Sequence, residues 1–316
     1  MTPGGQSRTL PAGFDGFARR YARDAAGRVT KVTKASRRTS ELSYDALGRI
    51  TDVAHSDGTF ERYRYGRDGS LLEASNDVAE VRFERDLMGR VVREETRVAD
   101  GGVHWIKSGY GPDGHRVRVE SSDGHKHHIE RDLGGDVTRV ELEGAWWGVD
   151  FERDPLGLEL GRAFPSGVSS HWERDLVGRP MRRTVLARGA DGSSRTMGDK
   201  RYQWEGDDQI RAILDPQLGD AHYKHDARGR LVWAKLPWGE PQHRAMDAVG
   251  NIYRTPDLSD RRYGPGGRIE EAEGTRYVHD ADGNLIEKSD ILGDTTRYRW
   301  NGAGMLSAVE LPDGVR

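Results

Sequence analysis

The sequence has 316 residues and carries 49 Lys and Arg against 52 Asp and Glu, a net charge of −3 that gives no reason to expect a nucleic-acid or anionic-membrane partner. It contains no Cys, which excludes disulfides and thiolate metal sites. Hydrophobic residues make up only 34% of the chain, a value that can indicate disorder, but 8 Trp, 11 Tyr and 6 Phe are too many aromatic residues for a solvated tail.

The chain begins with a short segment, residues 1–13, that we predict to be disordered. This segment has no apolar region of the kind that a signal peptide needs. No run in the chain approaches the roughly 18 apolar residues of a membrane span, so we predict that the chain does not insert into a membrane. The remainder, residues 14–316, shows no domain boundary and is predicted to be one repeat region.

A four-residue pattern, Asp-x-x-Gly, recurs along the chain with a commonest spacing of 21 residues. The fourth position is Gly in 13 of 14 copies, and the exception is Asp208. Aromatic residues fill 15 of the 28 positions that lie one and three places before the pattern, and an aliphatic residue stands at its sixth position in 11 copies. The first positions are Asp24, Asp45, Gly66, Asp86, Gly111, Asp132, Asp154, Asp175, Glu205, Asp226, Asp247, Gly264, Asp280 and Asn301.

We call this pattern the repeat turn, because Asp or Asn at its first position and Gly at its fourth are preferred in a type I turn followed by a bulge. The aromatic residues before it share one face of a strand and are expected to form an aromatic ladder across neighbouring strands. A second set of turn signals, here called return turns, lies midway between the repeat turns. The signals begin at Ser56, Asp100, Ser122, Pro165, Ala190, Leu292 and Pro312.

Turn signals about every ten residues, with strand-like runs between them, predict an antiparallel meander in which each repeat is one hairpin. The predicted fold class is therefore all-β, an antiparallel β-meander of about 14 repeats and roughly 28 strands. No capped apolar stretch with a helical period interrupts it, so under about 10% helix is expected. A single-layer wall with two wet or partly wet faces needs few apolar residues, which agrees with the low hydrophobicity.

Two groups of residues could bind a ligand. His125, His127 and His128 could ligate Zn²⁺ or Ni²⁺, but they lie at a turn and no fourth ligand is apparent, so solvated side chains are favoured. Trp146 and Trp147 could form a platform for a sugar. Adjacent residues of a strand point to opposite faces, however, so packing within the wall is favoured for this pair.

Two acidic sites could carry chemistry. Asp207 and Asp208, with Glu205 nearby, could form a carboxylate pair, and Asp154-Pro155 could be a self-cleavage site, but all of them occupy repeat-turn positions, where turn capping is favoured. P-loop, nucleophile-elbow, zinc-protease and EF-hand motifs are absent from the sequence. We therefore predict no catalytic, cofactor-binding or metal-binding residue, no cofactor and no enzyme activity.

The fullest copies are "YDALGRI" from Tyr44, "RDLMGRV" from Arg85 and "HDARGRL" from His225. They resemble the YD repeats of the RHS family, and the resemblance runs from about residue 17 to the end of the chain. The copies look most like those of bacterial RHS proteins of the polymorphic-toxin type. This resemblance implies a curved, spiralling single-sheet wall that forms part of a hollow RHS shell. In such proteins the shell encloses a C-terminal toxin domain.

The function implied by the resemblance is a non-catalytic shell segment that encapsulates or escorts a C-terminal toxin for delivery in interbacterial competition, as by a type VI secretion apparatus. The implied partners are the toxin cargo, flanking RHS shell segments and components of the secretion apparatus, with no nucleic acid. The implied location is secreted, with synthesis in the bacterial cytoplasm and export without an N-terminal signal peptide.

Relatives that process themselves carry a cleavage segment after the repeats. This sequence ends at "LPDGVR" without one, so we expect it to be part of a shell. The alternative function is an extracellular YD-repeat recognition module that binds carbohydrate or protein.

Overall fold

The structure, a computed structural model, describes residues 7–10 and 17–314. The chain divides into two compact units, one made of residues 1–103 with 246–316 and the other of residues 104–245. Within the segment 1–13, predicted to be disordered, Ser7–Leu10 form a strand, and the other residues of that segment lie outside the described residues. The prediction of one repeat region over residues 14–316 stays a prediction.

The first part of unit 1 is a meander in which each strand pairs antiparallel with the next. Its strands are β1 (Ser7–Leu10), β2 (Arg19–Arg23), β3 (Val29–Thr33), β4 (Thr39–Tyr44), β5 (Ile50–His55), β6 (Phe60–Tyr65), β7 (Leu71–Asn76), β8 (Ala79–Arg85) and β9 (Val91–Val98).

Unit 2 repeats the same arrangement of consecutive antiparallel pairs. Its strands are β10 (Val103–Tyr110), β11 (Arg116–Ser121), β12 (Lys126–Arg131), β13 (Val137–Leu142), β14 (Gly148–Arg153), β15 (Glu159–Ala163), β16 (Val168–Arg174), β17 (Pro180–Arg188), β18 (Ser194–Trp204), β19 (Ile210–Leu214), β20 (Ala221–His225), β21 (Leu231–Lys235) and β22 (Gln242–His243).

The last part of the chain holds a short strand pair and a six-stranded antiparallel meander. The pair is β23 (Ala245–Met246) with β24 (Ile252–Tyr253). The meander is β25 (Arg261–Tyr263), β26 (Ile269–Ala272), β27 (Thr275–His279), β28 (Leu285–Ser289), β29 (Thr295–Trp300) and β30 (Leu306–Glu310). Helix in the described residues is limited to two single 3₁₀ turns, Gly206–Asp208 and Pro265–Gly267. The predicted all-β antiparallel meander is confirmed.

The repeat turn has the predicted geometry. In the copy that begins at Asp45, the Gly48 N–H donates to the Asp45 carbonyl over 3.0 Å, and the Asp45 N–H donates to the Arg49 carbonyl over 2.9 Å. Gly48 has a φ of 81°, a left-handed conformation that glycine adopts without strain. Asp208, the one residue that replaces glycine at this position, has a φ of 61°. The turn therefore imposes its conformation even where its sequence departs from the pattern.

The arginine that follows the glycine joins the turn to the next repeat. The Arg49 N–H and Nε donate to the two carboxylate oxygens of Asp45 over 2.9 and 2.6 Å, and its guanidinium lies 4.6 Å from the centre of the Tyr65 ring. Tyr65 stands one place before the next repeat turn, so Arg49 bridges two repeats. The same pair of bonds to the aspartate is made by Arg28, Arg90, Arg179 and Arg230.

The expected aromatic ladder is present only in part. Trp172 and Tyr202, at matching places of consecutive repeats, have ring centres 6.0 Å apart. Elsewhere an arginine guanidinium stacks between the repeats, as Arg179 does 5.7 Å from Trp204. The stack between repeats therefore contains both aromatic rings and guanidinium groups. The arginine that follows one repeat turn lies against the aromatic residue that precedes the next repeat turn.

The residue immediately before the repeat turn also bonds back to the preceding repeat. Tyr44 Oη donates to the Val29 carbonyl over 2.6 Å, and Trp204 Nε1 donates to the Pro180 carbonyl over 2.8 Å. Where arginine replaces the aromatic residue it does the same: Arg153 Nε donates to the carbonyl of residue 137 over 3.0 Å. Tyrosine, tryptophan and arginine share this position because each carries a donor at the end of a long planar side chain.

The units have almost no apolar core. The buried hydrophobic residues among those described are one Val and four Ala, and no large side chain in that part of the chain is fully buried. Most strand residues are only half-buried, on both faces. Backbone ladders and side-chain stacks must therefore supply the cohesion that a packed core supplies elsewhere, as the low hydrophobicity predicted.

Candidate interaction surfaces

The three histidines do not converge. His125 and His127 lie on one side, with ring centres 6.4 Å apart, and His127 meets the edge of Trp147 at 6.4 Å. His128 takes the other face of β12, where its Nε2 lies 3.2 Å from a carboxylate oxygen of Glu143. Across residues 17–314 no three His, Asp or Glu side chains gather closely enough to hold a metal ion.

The acidic candidates serve as turn residues. One carboxylate oxygen of Asp154 accepts the N–H groups of Leu156 and Leu158, each over 2.9 Å, and Pro155 fills the second position of the turn. Asp208 lies 3.2 Å from the guanidinium of Arg179. Asp154 therefore caps its own turn, whereas the Asp208 carboxylate pairs with an arginine of the preceding repeat. That none of the acidic candidates is catalytic stays a prediction.

The tryptophan pair does not lie on a strand. Trp146 and Trp147 belong to the return turn between β13 and β14, because Gly144, with a φ of 76°, bends the chain before them. Trp146 is 75% exposed and Trp147 39%. The expectation that both pack within the wall is wrong for Trp146, whose position in a turn the sequence pattern did not reveal.

A seam joins the two ends of unit 1, and we use this name for the contacts between return turns 34–37 and 55–58 and repeat turns 280–283 and 301–304. At its first contact, the two carboxylate oxygens of Asp282 accept the Ser36 N–H over 2.9 Å and the Ser36 hydroxyl over 2.5 Å. Arg38 Nη2 lies 3.6 Å from a carboxylate oxygen of Asp280. The residues in contact are 246 positions apart in the chain.

The second contact of the seam lies one repeat further along both edges. Lys34 Nζ donates to the Gly302 carbonyl over 2.9 Å, and the Gly302 N–H donates to Asp57 Oδ2 over 2.5 Å. A Cβ atom at residue 302 would come within 2.4 Å of the His55 Cβ, so only glycine permits this approach. Asp57 and Gly302 are 245 positions apart, nearly the same offset as in the first contact. Successive return turns therefore contact successive repeat turns at a nearly constant offset along the chain.

A polar groove adjoins the seam. The Arg268 guanidinium lies 4.4 Å from the centre of the Phe17 ring, and Tyr277, His279 and Asp280 complete the nearby wall. Burial lowers the pKa of His279, and the neighbouring positive charge of Arg268 acts in the same direction. This histidine therefore stays neutral at physiological pH.

Turns outside the seam carry exposed apolar side chains. Where the second or third position of a repeat turn is a large apolar residue, its exposed fraction ranges from 61% at Val249 to 109% at Leu133. The residues concerned are Leu47, Leu87, Met88, Leu133, Leu156, Leu176, Val177 and Val249. Return turns and the β21–β22 connection in unit 2 expose Trp146, Leu218 and Trp238. The corresponding positions of the seam's repeat turns are Ala281, Asp282, Gly302 and Ala303.

No described stretch forms a helix with the length and hydrophobicity that a membrane crossing requires.

The RHS Repeat family matches the chain at residues 23–59 and 279–316. Among curated proteins, Toxin protein Tse5 of Pseudomonas aeruginosa is 28% identical over 85% of this chain and 23% of its own length. Double-stranded DNA deaminase toxin A of Burkholderia cenocepacia is 25% identical over 93% of this chain and 24% of its own length. The chain therefore spans about a quarter of the length of these relatives.

Solved structures of a toxin complex share the fold. The crystal structure of TcdB2-TccC3 aligns with a TM-score of 0.69 at 13% identity, over 94% of this chain and 20% of its own. The Photorhabdus luminescens Tc holotoxin pore aligns with a TM-score of 0.67 at 14% identity, over 95% of this chain and 19% of its own. At such identities the likeness is one of fold.

Proposed function

We propose that the chain, an RHS repeat protein, is a non-catalytic segment of an RHS shell wall, over residues 14–316, that encloses or escorts a toxin domain. The observation that carries the proposal is the near absence of a buried apolar core in the described residues. A sheet that is wet on both faces suits a wall that separates an interior from the outside, whereas an independent globular module needs an apolar face to bury.

The names of the relatives support a toxin as the cargo. Two curated relatives are named as toxins, and the chain matches only about a quarter of each. We propose that the partners are a toxin domain, flanking RHS shell segments and components of a type VI-like secretion apparatus that acts between bacteria. We further propose that the protein is exported without an N-terminal signal peptide.

The stacked arginines give a direct test of enclosure. In the full-length product of the gene, Arg49→Ala with Arg179→Ala would remove two links between repeats, and we expect a protease to digest the toxin domain faster than in the unsubstituted protein. Arg67→Ala, at an exposed turn position, is the matched control and should leave protection unchanged. A toxin domain that is digested at the same rate with an intact and a weakened wall would contradict enclosure.

The absence of catalysis has its own test. The chain expressed alone in the cytoplasm of a sensitive bacterium should not slow growth. Growth arrest that a single substitution of an Asp, Glu or His abolishes would overturn the non-catalytic assignment.

The alternative, an extracellular recognition module, is favoured by one observation, the 75% exposure of Trp146. An exposed indole can stack on a sugar ring. Binding of the chain to a glycan array, lost in Trp146→Ala and kept in Met181→Ala, would support this function over the shell.

A further inference from the structure

We propose that the polar groove of unit 1, between Phe17 and the six-stranded meander, binds a small organic oxyanion, with a phosphate ester as its preferred ligand. The groove has a volume of about 430 Å³, which suits a ligand of the size of a phosphorylated small molecule. Arg262, Glu270 and Arg276 line it together with the residues already named. Such a site depends neither on the cargo nor on the delivery route.

Arg268 differs from its counterparts in other repeats in its side-chain contacts. The arginine that follows the glycine of a repeat turn, such as Arg49, bonds to the aspartate that begins the same turn. Arg268 follows the turn that begins at Gly264, which has no side chain. Within residues 7–10 and 17–314 the Arg268 side chain makes no hydrogen bond and no ion pair. Among these residues, its positive charge therefore has no carboxylate in contact with it.

The contact with Phe17 orients the Arg268 guanidinium for binding. The guanidinium carbon lies 4.4 Å from the centre of the Phe17 ring, so the ring covers its flat face and leaves the N–H groups at its edge open. A guanidinium binds phosphate and carboxylate oxygens through these in-plane N–H groups, often two at a time. The stack therefore fixes the arginine without using any of its hydrogen-bond donors.

Three more side chains of the groove have unused hydrogen-bonding groups. Arg276, Tyr277 and His279 line the groove, and their side chains form no hydrogen bond with any other described residue. His279 stands one place before a repeat turn, where the longer Tyr44 side chain reaches a carbonyl of the preceding repeat. An oxyanion can accept hydrogen bonds from all three groups as well as from Arg268.

The two carboxylates of the groove are already paired. Glu270 lies 2.6 Å from Nη1 of Arg262. Asp280 accepts two backbone N–H groups of its own turn, each over 2.9 Å, and lies 3.6 Å from Nη2 of Arg38. The charge of Arg268 therefore remains available to an anion. A phosphate monoester, with about two negative charges and three terminal oxygens, matches the donors of the groove better than a carboxylate does.

Isothermal titration calorimetry on the whole chain tests the site with probes that share a benzene ring. Phenyl phosphate carries a phosphate ester, phenylacetate a carboxylate, and phenol no charge at neutral pH. We expect phenyl phosphate to bind with a dissociation constant below about 1 mM at low salt, phenylacetate to bind at least about threefold more weakly, and phenol to show no binding. No binding of phenyl phosphate up to about 10 mM, or equal or tighter binding of either other probe, would overturn the proposal.

Substitutions test whether the ligand lies in the groove. Arg268→Gln removes the charge but keeps a planar group beside Phe17, and we expect it to weaken phenyl phosphate binding by at least about tenfold. Tyr277→Phe removes a hydroxyl that bonds to none of the described residues, so it should keep the fold and weaken binding by about threefold. Arg297→Gln removes an exposed arginine of the same meander that lies outside the groove, and this control should bind like the unsubstituted chain.

Circular dichroism with a melting curve checks the fold of each variant. Binding by Arg268→Gln that is as tight as binding by Arg297→Gln would contradict the site. If Arg268→Gln does not fold, unchanged binding by Tyr277→Phe would contradict it equally.

His279 provides a second readout inside the groove. Burial lowers the pKa of His279, and Arg268 acts in the same direction, whereas Glu270 and Asp280 act in the opposite direction. A bound dianion offsets the charge of Arg268, so we expect the pKa of His279 to rise when phenyl phosphate saturates the chain. An NMR pH titration of the His279 ring, assigned with His279→Gln, measures this change. A His279 ring that titrates alike with and without the probe would place the ligand elsewhere and overturn the proposal.

Discussion

At the residue scale, the repeat turn depends on the carboxylate of its first residue, which accepts hydrogen bonds both from the turn backbone and from the side chain of the following arginine. In the turn that begins at Asp226, one carboxylate oxygen accepts the N–H groups of Arg228 and Arg230 over 2.9 and 3.0 Å, and the other accepts the Arg230 Nε–H over 2.8 Å. The side-chain bond from Arg230, followed by the backbone N–H bonds, lowers the pKa of Asp226 to about 2. The same arrangement lowers the pKa of the first residue in the turns that begin at Asp24, Asp45, Asp86 and Asp175, so acid should act on several turns at once.

This pKa predicts how stability changes in acid. Because the pKa of Asp226 in the folded chain lies below its unfolded value of 3.8, its contribution to stability is present above about pH 4 and is lost as the pH falls towards 2. In Asp226→Asn the amide oxygen can still cap the turn, but the charge is absent. We therefore expect the melting temperatures of the two proteins to differ above pH 4 and to converge near pH 2. A constant difference across this range would show that the charge of Asp226 is not what matters.

The one repeat turn without glycine predicts a stabilising substitution. Asp208 holds a φ of 61°, which costs a non-glycine residue energy, and its ion pair with Arg179 is exposed and worth little. Asp208→Gly should raise the free energy of unfolding by about 0.5 to 1 kcal/mol.

Gly89→Ala is the reciprocal control for this prediction. Gly89 has a φ of 81° and open space around its missing Cβ, so only the backbone conformation is tested, and a loss of about 1 kcal/mol is expected in urea unfolding. A neutral effect of both substitutions would contradict this account of the turn.

At the element scale, the sequence predicted the hairpins but not all of the links between them. The positions of Gly48 and its counterparts were sufficient to predict the turns. Glycine at a fixed interval indicates a backbone position that needs a positive φ, and this requirement is local. The role of Arg49, which bonds to Asp45 and stacks on Tyr65, is not visible in local pattern, because the stacked ring belongs to another repeat. Trp146 was misplaced for a similar reason, since its turn lacks the usual Asp-Gly signal.

The donor before the repeat turn should stabilise the pairing of repeats. Tyr44→Phe removes the hydroxyl that donates to the Val29 carbonyl and keeps the ring under Arg28, so we expect a loss of about 1 kcal/mol in urea unfolding. Tyr298→Phe is the matched control, because the Tyr298 hydroxyl makes no hydrogen bond within the described residues, and it should change stability by less than about 0.3 kcal/mol. Equal effects of the two substitutions would mean that the bond to Val29 does not contribute.

At the scale of the whole chain, the missing core was predictable and the seam was not. The low hydrophobic content alone predicted that the chain has no packed apolar core. The described residues bury only small apolar side chains. The seam joins Ser36 to Asp282, 246 positions away, through residues that look like ordinary turn residues in the sequence. A period of 21 residues shows which positions of successive repeats are equivalent. It does not show how many repeats lie between a return turn and the repeat turn that it contacts.

The seam predicts a local loss of stability when its first contact is broken. Asp282 stands at the turn position that holds leucine in the copy at Leu47, so Asp282→Leu suits the turn itself but removes both bonds to Ser36. We expect amide hydrogen exchange in β27 and β28 of unit 1 to quicken by about fivefold, since a local opening free energy falls by about 1 kcal/mol when such a contact is lost. Exchange in strands of unit 2, such as β16 and β17, should stay unchanged because stability in repeat proteins is a sum of local terms. Leu292→Ala, an exposed residue of a return turn in the same meander, is the control and should leave exchange as it is. A uniform change across both units, or none in β27 and β28, would show that the seam does not hold the two ends of unit 1 together.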